Sequence, residues 1–207
     1  MVDHGTEALI VLPSAGGTAL SPLLTARRSA KELTDEPLAL AEVASLLRHA
    51  AGVDGAGRPT YASARAQYLV SVTLVAGEVI GLRPGAYPYL GARHALSTGT
   101  LGDLRPALAD ATVDAHWVAG APAVLVLSAD LEAANDYFAE LGPGQGDRFA
   151  WLEAGLITQN VYLWAAATGW GTVFVGGLDE VALSGVAPVV PEGEQVLGML
   201  PVGWPAG

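Results

Sequence analysis

The longest apolar stretch of the chain, Val161 to Leu178, is broken by Gly169, Gly171, Gly176 and Gly177 and is preceded by Gln159 and Asn160. An unbroken run of this length would suit a lipid bilayer. A run interrupted by glycines reads instead as a buried helix that passes into a strand. The helix is expected over Arg148 to Thr168, the longest in the chain, and the strand over Thr172 to Val175. A helix this long and apolar must be covered by other elements or by a second chain. The 207 residues are 51% hydrophobic and only 15% charged, which supplies a large core and leaves apolar surface for an obligate dimer.

The remaining pattern is irregular. Residues 1–20 run from polar to apolar to glycine-rich and read as an extended arm, with a single domain over 21–207. Ser21 is placed to cap a short helix carrying Pro22, Leu23 and Leu24. Pro37 opens a second helix, with Leu38, Leu40, Val43, Leu46 and Leu47 on one face and Gly52 at its end. Gly55 to Pro59 reads as a loop. Strands are expected at Gln67–Val75, Gly85–Tyr89, Ala123–Ser128 and Val196–Val202, and further helices at Leu101–Ala109 and Leu131–Leu141, the last followed by a break at Gly142–Gly146. Helices and strands do not alternate regularly, which favours an α+β fold over a doubly wound one.

Charge and composition exclude several functions. The formal net charge is −11, with a pI near 4.6, so neither nucleic acid nor an anionic membrane surface is an expected partner. The absence of cysteine excludes disulfides, thiolate metal sites and cysteine nucleophiles. The histidines (His4, His49, His94 and His116) lack ligand spacing, so no metal is expected. The start does not read as a signal peptide, and the expected location is the cytoplasm. Phosphate-loop, dinucleotide and nucleophile-elbow fingerprints are absent.

Four segments carry candidate chemistry. In Arg27-Arg28-Ser29-Ala30-Lys31, three of the chain's ten Lys and Arg sit together, and Lys31 is the sole lysine. Scarce positive charge gathered around a hydroxyl suits an anion, and arginine forks suit phosphate oxygens. The other reading is a solvated stretch beside a helix. Ser63-Ala64-Arg65-Ala66-Gln67 leads into a strand, where alternating Ser63, Arg65 and Gln67 would face one way, toward a flat heterocycle or as an ordinary polar strand entry. Gln159 and Asn160 interrupt an apolar helix and need partners, in loop backbone or in a ligand. Gly176-Gly177 allows close backbone approach to a planar ligand, or makes a simple turn.

Taken in order over Leu12 to Gly203, these segments resemble the nitroreductase family of flavin mononucleotide (FMN) enzymes. Arg27-Arg28-Ser29-Ala30-Lys31 is similar to that family's opening R-[RH]-S-x-[RK] motif, and Ser63 to Gln67 to its segment that reads S-x-N-x-Q or S-A-G-A-L. Glu153-Ala154-Gly155 with Gln159-Asn160 and Leu163 is similar to the central-helix motif [ED]-x-G-x-x-x-Q-N-x-x-L, and Gly176-Gly177 to the loop that offers an N–H to flavin N5. The resemblance implies a central, mostly antiparallel sheet surrounded by helices in an intertwined homodimer, with FMN at the interface. It assigns Arg27, Arg28, Ser29 and Lys31 to the phosphate and the N1/O2 side of the ring. Ser63, Arg65, Gln67, Gln159, Gly176 and Gly177 are then assigned to the rest of the flavin.

Within the family the chain resembles the SagB-type branch, which includes azoline dehydrogenases. The residues behind this are Leu12-Pro13, the Gly81-Leu82-Arg83-Pro84-Gly85-Ala86-Tyr87-Pro88-Tyr89 segment, and His94 with Leu96. Where azoline dehydrogenases carry a Lys-Tyr pair on the substrate side, this chain has Asp136-Tyr137, candidate proton-transfer residues. Arg65 stands where Asn or Gly is common. The sequence ends at Gly207 without the basic residue that often helps hold phosphate, which loads that task onto Arg27 and Lys31. The resemblance implies an FMN oxidoreductase acting on a small or peptide-derived substrate. Its alternatives are an NAD(P)H-dependent nitro or quinone reductase and a non-catalytic subunit of a biosynthetic complex that binds flavin or a partner.

Overall fold

The computed structural model describes residues 10, 12–14, 16–186 and 188–206. His4 and most of the arm expected over 1–20 therefore lie outside the described residues, as do Ala187 and Gly207. In chain order the elements are α1 (Ser21–Ala26), β1 (Leu38–Ala39), α2 (Leu40–Ala51), β2 (Ser71–Ala76), β3 (Val79–Ile80), β4 (Gly85–Leu90), β5 (Ala95–Leu96), α3 (Arg105–Asp110), β6 (Ala123–Ala129), α4 (Leu131–Tyr137), α5 (Gln145–Thr168), β7 (Gly171–Thr172), α6 (Glu180–Ser184) and β8 (Gln195–Gly203). Six strands form a sheet in the order β5-β4-β2-β6-β8-β7, and every neighbouring pair is antiparallel. Strands β1 and β3 make a separate parallel pair. The α+β architecture with a central antiparallel sheet is as expected.

Strand β6 is buried along its whole length. A continuous apolar run is what a strand covered on both faces requires. Leu125 and Leu127 point to one face, where Leu46 and Leu47 of α2 and Ile157 and Val161 of α5 complete the larger core. Val124 and Val126 point to the other, against Leu108, Val118 and Met199. The side-chain period of two thus divides one strand between two cores.

Helix α5 buries Ala150, Glu153, Ala154, Ile157, Val161, Trp164 and Ala165 at helical spacing. Trp151 and Leu152 on its other side remain 46% and 59% exposed. The helix ends at Gly169, whose φ of 81° is the left-handed conformation that glycine adopts without steric cost. At its start, α4 and α5 meet backbone to backbone. A Cβ on Gly146 would lie 2.2 Å from the carbonyl carbon of Ala134. The contact is fixed by Asn135, whose amide donates to Asp147 at 2.6 Å.

Several local expectations need correction. Ser21 does not cap α1; it lies inside the helix, and its hydroxyl accepts the Thr18 N–H at 2.8 Å. Pro37 does not open α2, because Leu38 and Ala39 pair with Val79 and Ile80 before the helix starts at Leu40. The strand expected from Gln67 begins only at Ser71. The helix expected from Leu101 begins at Arg105, and the one expected over Leu131–Leu141 becomes α4 plus a separate 3-10 turn at Ala139–Leu141. Helix α6 was not expected; Asp179 caps it by accepting the N–H groups of Val181 and Ala182. Among the described residues, no helix is long and apolar enough to cross a membrane.

Candidate active site

The cationic cluster follows directly on α1 and is held against the far end of α5. Ala30 donates its N–H to Thr172 at 2.9 Å, which lays the cluster along β7. The Arg27 guanidinium stands 5.0 Å from the centroid of the Tyr162 ring, within cation–π range. The Tyr162 hydroxyl lies 3.3 Å from the Ser29 hydroxyl and accepts the Phe174 N–H at 3.0 Å. Arg28 folds back on its own main chain, donating to the carbonyls of Thr25 and Arg27. Lys31 and Ser29 are exposed. Among the described residues, carboxylate ion pairs form at Arg58, Arg65 and Arg105 and at none of Arg27, Arg28 or Lys31.

Immediately after Phe174, Val175 bridges to Met199 and the exposed Gly176-Gly177 turn follows. The Gly177 carbonyl accepts the Val113 N–H at 2.9 Å. Among the described residues, neither glycine N–H has a backbone partner. Tyr162 therefore joins the cluster to the segment leading into the paired glycines. The sequence reading passed it over, and its only signal was a hydroxyl within an apolar helical run.

The Ser63–Gln67 segment is not an alternating strand. Ala64–Ala66 form one 3-10 turn, and Arg65, Ala66 and Tyr68 take φ values of 52°, 55° and 51°. Three non-glycine residues in the left-handed region within four positions need fixed surroundings, because each costs of order 1 kcal/mol or more. Those surroundings come from two side chains. The Ser63 hydroxyl accepts the Tyr68 N–H at 2.7 Å, and Glu153 of α5 accepts the Leu69 N–H at 2.7 Å. The backbone groups that a strand would have offered to a neighbour are taken by side chains instead. Glu153 is 1% exposed, and burial raises its pKa above the ordinary value, opposed by the nearby Ser63 hydroxyl and the Leu69 and Val70 N–H groups.

Arg65 turns toward the end of α4. It pairs with Glu140, holding that carboxyl below its ordinary pKa, and stands 5.5 Å from the Phe138 ring centroid. The Tyr137 hydroxyl lies beside it. The structure thus brings Arg65 and Tyr137 together, with Asp136 exposed on the same helix. The Gln67 side-chain amide donates to the Arg65 carbonyl at 3.2 Å, its one side-chain hydrogen bond among the described residues. Asn160 is committed to structure, donating to the carbonyls of Ala50 and Thr60. Gln159 has no side-chain hydrogen bond among the described residues and is half-buried on a stripe with Leu152, Leu156 and Leu163. On the opposite flank of α2, Tyr89 and His94 are hydrogen-bonded at 2.8 Å on a pocket of about 260 Å³ that Leu40, Leu47 and Leu82 help to line.

Within one chain these groups form two half-sites. The cluster and Gly176-Gly177 gather around Tyr162, and the Ser63–Gln67 loop and Tyr137 gather around Glu153. Along α5 those anchor residues are about 13 Å apart, at ~1.5 Å rise per residue.

Comparison with known proteins gives consistent results. The profile of the nitroreductase family matches residues 24–204. A protein of Methanocaldococcus jannaschii named as a nitroreductase, MJ1384, is 32% identical over 200 residues, covering 96% of this chain and 98% of its own. Among solved structures, a protein of Ralstonia eutropha also named as a nitroreductase superposes with a TM-score of 0.73 at 27% identity, over 96% of this chain and 89% of that one. The NADPH:FMN oxidoreductase of Vibrio harveyi, complexed with NAD+, superposes with a TM-score of 0.60 at 19% identity, over 91% and 69%.

Proposed function

The chain belongs to the nitroreductase family, and from that premise we propose that it is an FMN-dependent oxidoreductase that works as a homodimer, with each flavin site lined by both chains. The observation that carries this reading is the cluster at Arg27, Ser29 and Lys31. In a chain of net charge −11, its cations have no carboxylate partner among the described residues. A donor set of one guanidinium, one hydroxyl and one ammonium fits a phosphate monoester. The exposed Gly176-Gly177 turn, tied to the cluster through Tyr162 and Phe174, fits the edge of a planar ring.

When bound, FMN supplies hydride transfer, and the protein binds, orients and tunes it. Arg27, Arg28, Ser29 and Lys31 would hold the phosphate and the N1/O2 side of the ring. Gly176 and Gly177 would present main-chain N–H groups. Arg65, Gln67 and Gln159 would line the rest, from the half-site of the partner chain. Tyr137 and Asp136 are the proposed proton donor and base for the substrate. The stripe Leu152, Leu156, Gln159 and Leu163 has the spacing of a helix-pairing seam and is the proposed dimer contact, which would place Gln159 at the shared site.

The proposed substrate is a small or peptide-derived molecule of the kind handled by the SagB-type branch, supported by the Gly81–Tyr89 segment and by His94. A second reading, NAD(P)H-dependent reduction of nitro or quinone compounds, is favoured by the names of the Methanocaldococcus and Vibrio proteins. The test is spectroscopic. The purified protein should be yellow or take up added FMN. Anaerobic bleaching by NADH or NADPH would select the reductase; bleaching only by an azoline or a cyclic dipeptide would select the dehydrogenase. Flavin uptake without bleaching by any of these would select the non-catalytic alternative. A colourless protein that takes up no FMN would sink the proposal.

A further inference from the structure

Glu153 is the one buried carboxylate side chain on α5, and it faces the loop rather than the sheet core. Its Oε2 accepts the Leu69 N–H, while its Oε1 is buried with no hydrogen-bond partner among the described residues. A buried, unpartnered carboxylate oxygen is costly unless something requires it. The donor at hand is the Ser63 hydroxyl, whose oxygen already accepts the Tyr68 N–H. Between them, Glu153 and Ser63 hold both ends of the segment in which Arg65, Ala66 and Tyr68 are left-handed. The other titratable group near the carboxyl is the Tyr61 hydroxyl, whose ring meets that of Tyr68 edge to face at 5.7 Å.

We infer that Glu153, acting through Ser63 and the Leu69 N–H, is a positioning residue that locks residues 63–70 in the strained conformation presenting Arg65 and Gln67 to the flavin. This rests on the functional reading above and departs from the family resemblance at one residue: the Ser63 hydroxyl is spent on the loop and does not contact the flavin. The Leu69 N–H and the Ser63 hydroxyl both offer a hydrogen to the carboxyl, so a side chain that only accepts completes the arrangement.

The test compares wild-type protein with Glu153→Gln and Ser63→Ala. FMN affinity is measured by fluorescence quenching. Hydrogen exchange of the Leu69 amide is measured in the flavin-free proteins, and their melting reports folding independently of flavin. In Glu153→Gln, FMN affinity should be roughly tenfold weaker than in wild type, about the value of one charge-assisted hydrogen bond. Leu69 should exchange faster in both variants. An unchanged Leu69 rate in Glu153→Gln, or an FMN affinity that matches wild type, overturns the inference. Wild-type protein that binds no FMN overturns the functional reading, while the Leu69 measurement still judges the role of Glu153.

Discussion

Tyr162 shows how much a single side chain contributes to this site. Its ring lies under Arg27, and its hydroxyl spans Ser29 and the Phe174 N–H, so one residue of α5 holds both the cluster and the glycine turn in place. Tyr162→Phe keeps the ring and removes the hydroxyl. FMN affinity should fall by about 1 kcal/mol, the net value of a hydrogen bond, with little change in melting. Arg27→Ala or Lys31→Ala should each weaken FMN binding by about 1.5–3 kcal/mol, the scale for hydrogen bonds to a charged group. Unchanged flavin retention by the double variant on gel filtration would remove the phosphate assignment. Glu153 also gives a stability prediction. Burial raises its folded pKa, so the folded state holds the proton more tightly than the unfolded chain. Flavin-free stability should then fall as pH rises from the ordinary glutamate value through the raised one. Chemical denaturation across that window should show the slope in wild type and a smaller one in Glu153→Gln.

At the scale of elements, the site depends on how α5 is gripped. Its first turn touches α4 so closely that Gly146 has no room for a side chain. Gly146→Ala should force the two helices apart and cost about 1–3 kcal/mol, the range for overpacking, read as a lower melting temperature. The α4 end that would shift carries Asp136, Tyr137 and the Arg65–Glu140 pair, so the substrate-side half-site should loosen with it. The loop at Ser63–Gln67 shows why alternation misled. Its residue types are those of a strand entry, but Glu153, more than eighty positions later, takes the backbone N–H that a strand ladder would have used. A contact at that separation leaves no local mark in the sequence.

For the whole molecule, the apolar stripe left on α5 is the surface on which the proposed second chain would pack. Leu152, Leu156 and Leu163 keep apolar surface at a spacing that a partner helix can fill, and Trp151 adds to it. Leu152→Glu combined with Leu156→Glu should shift the protein toward monomer in light scattering and lower flavin content in parallel. Monomers that kept full flavin would show that each chain completes its site alone.

The sequence alone determined the long α5 and its glycine end, the apolar central strand β6, the α+β class and the cationic cluster, because periodicity, continuous apolar runs and scarce charge are local or compositional signals. Even the family was legible, since its motifs are short and ordered along the chain. Only the tertiary structure decided which polar residues serve the fold and which remain for a ligand. Asn160 and Ser63 were committed to backbone, Gln159 was left without a partner, and Tyr162 and Glu153 emerged as the anchors of the two half-sites. Those roles depend on hydrogen bonds between segments far apart in sequence, and the geometry of a bond between distant segments exists only once the chain has folded.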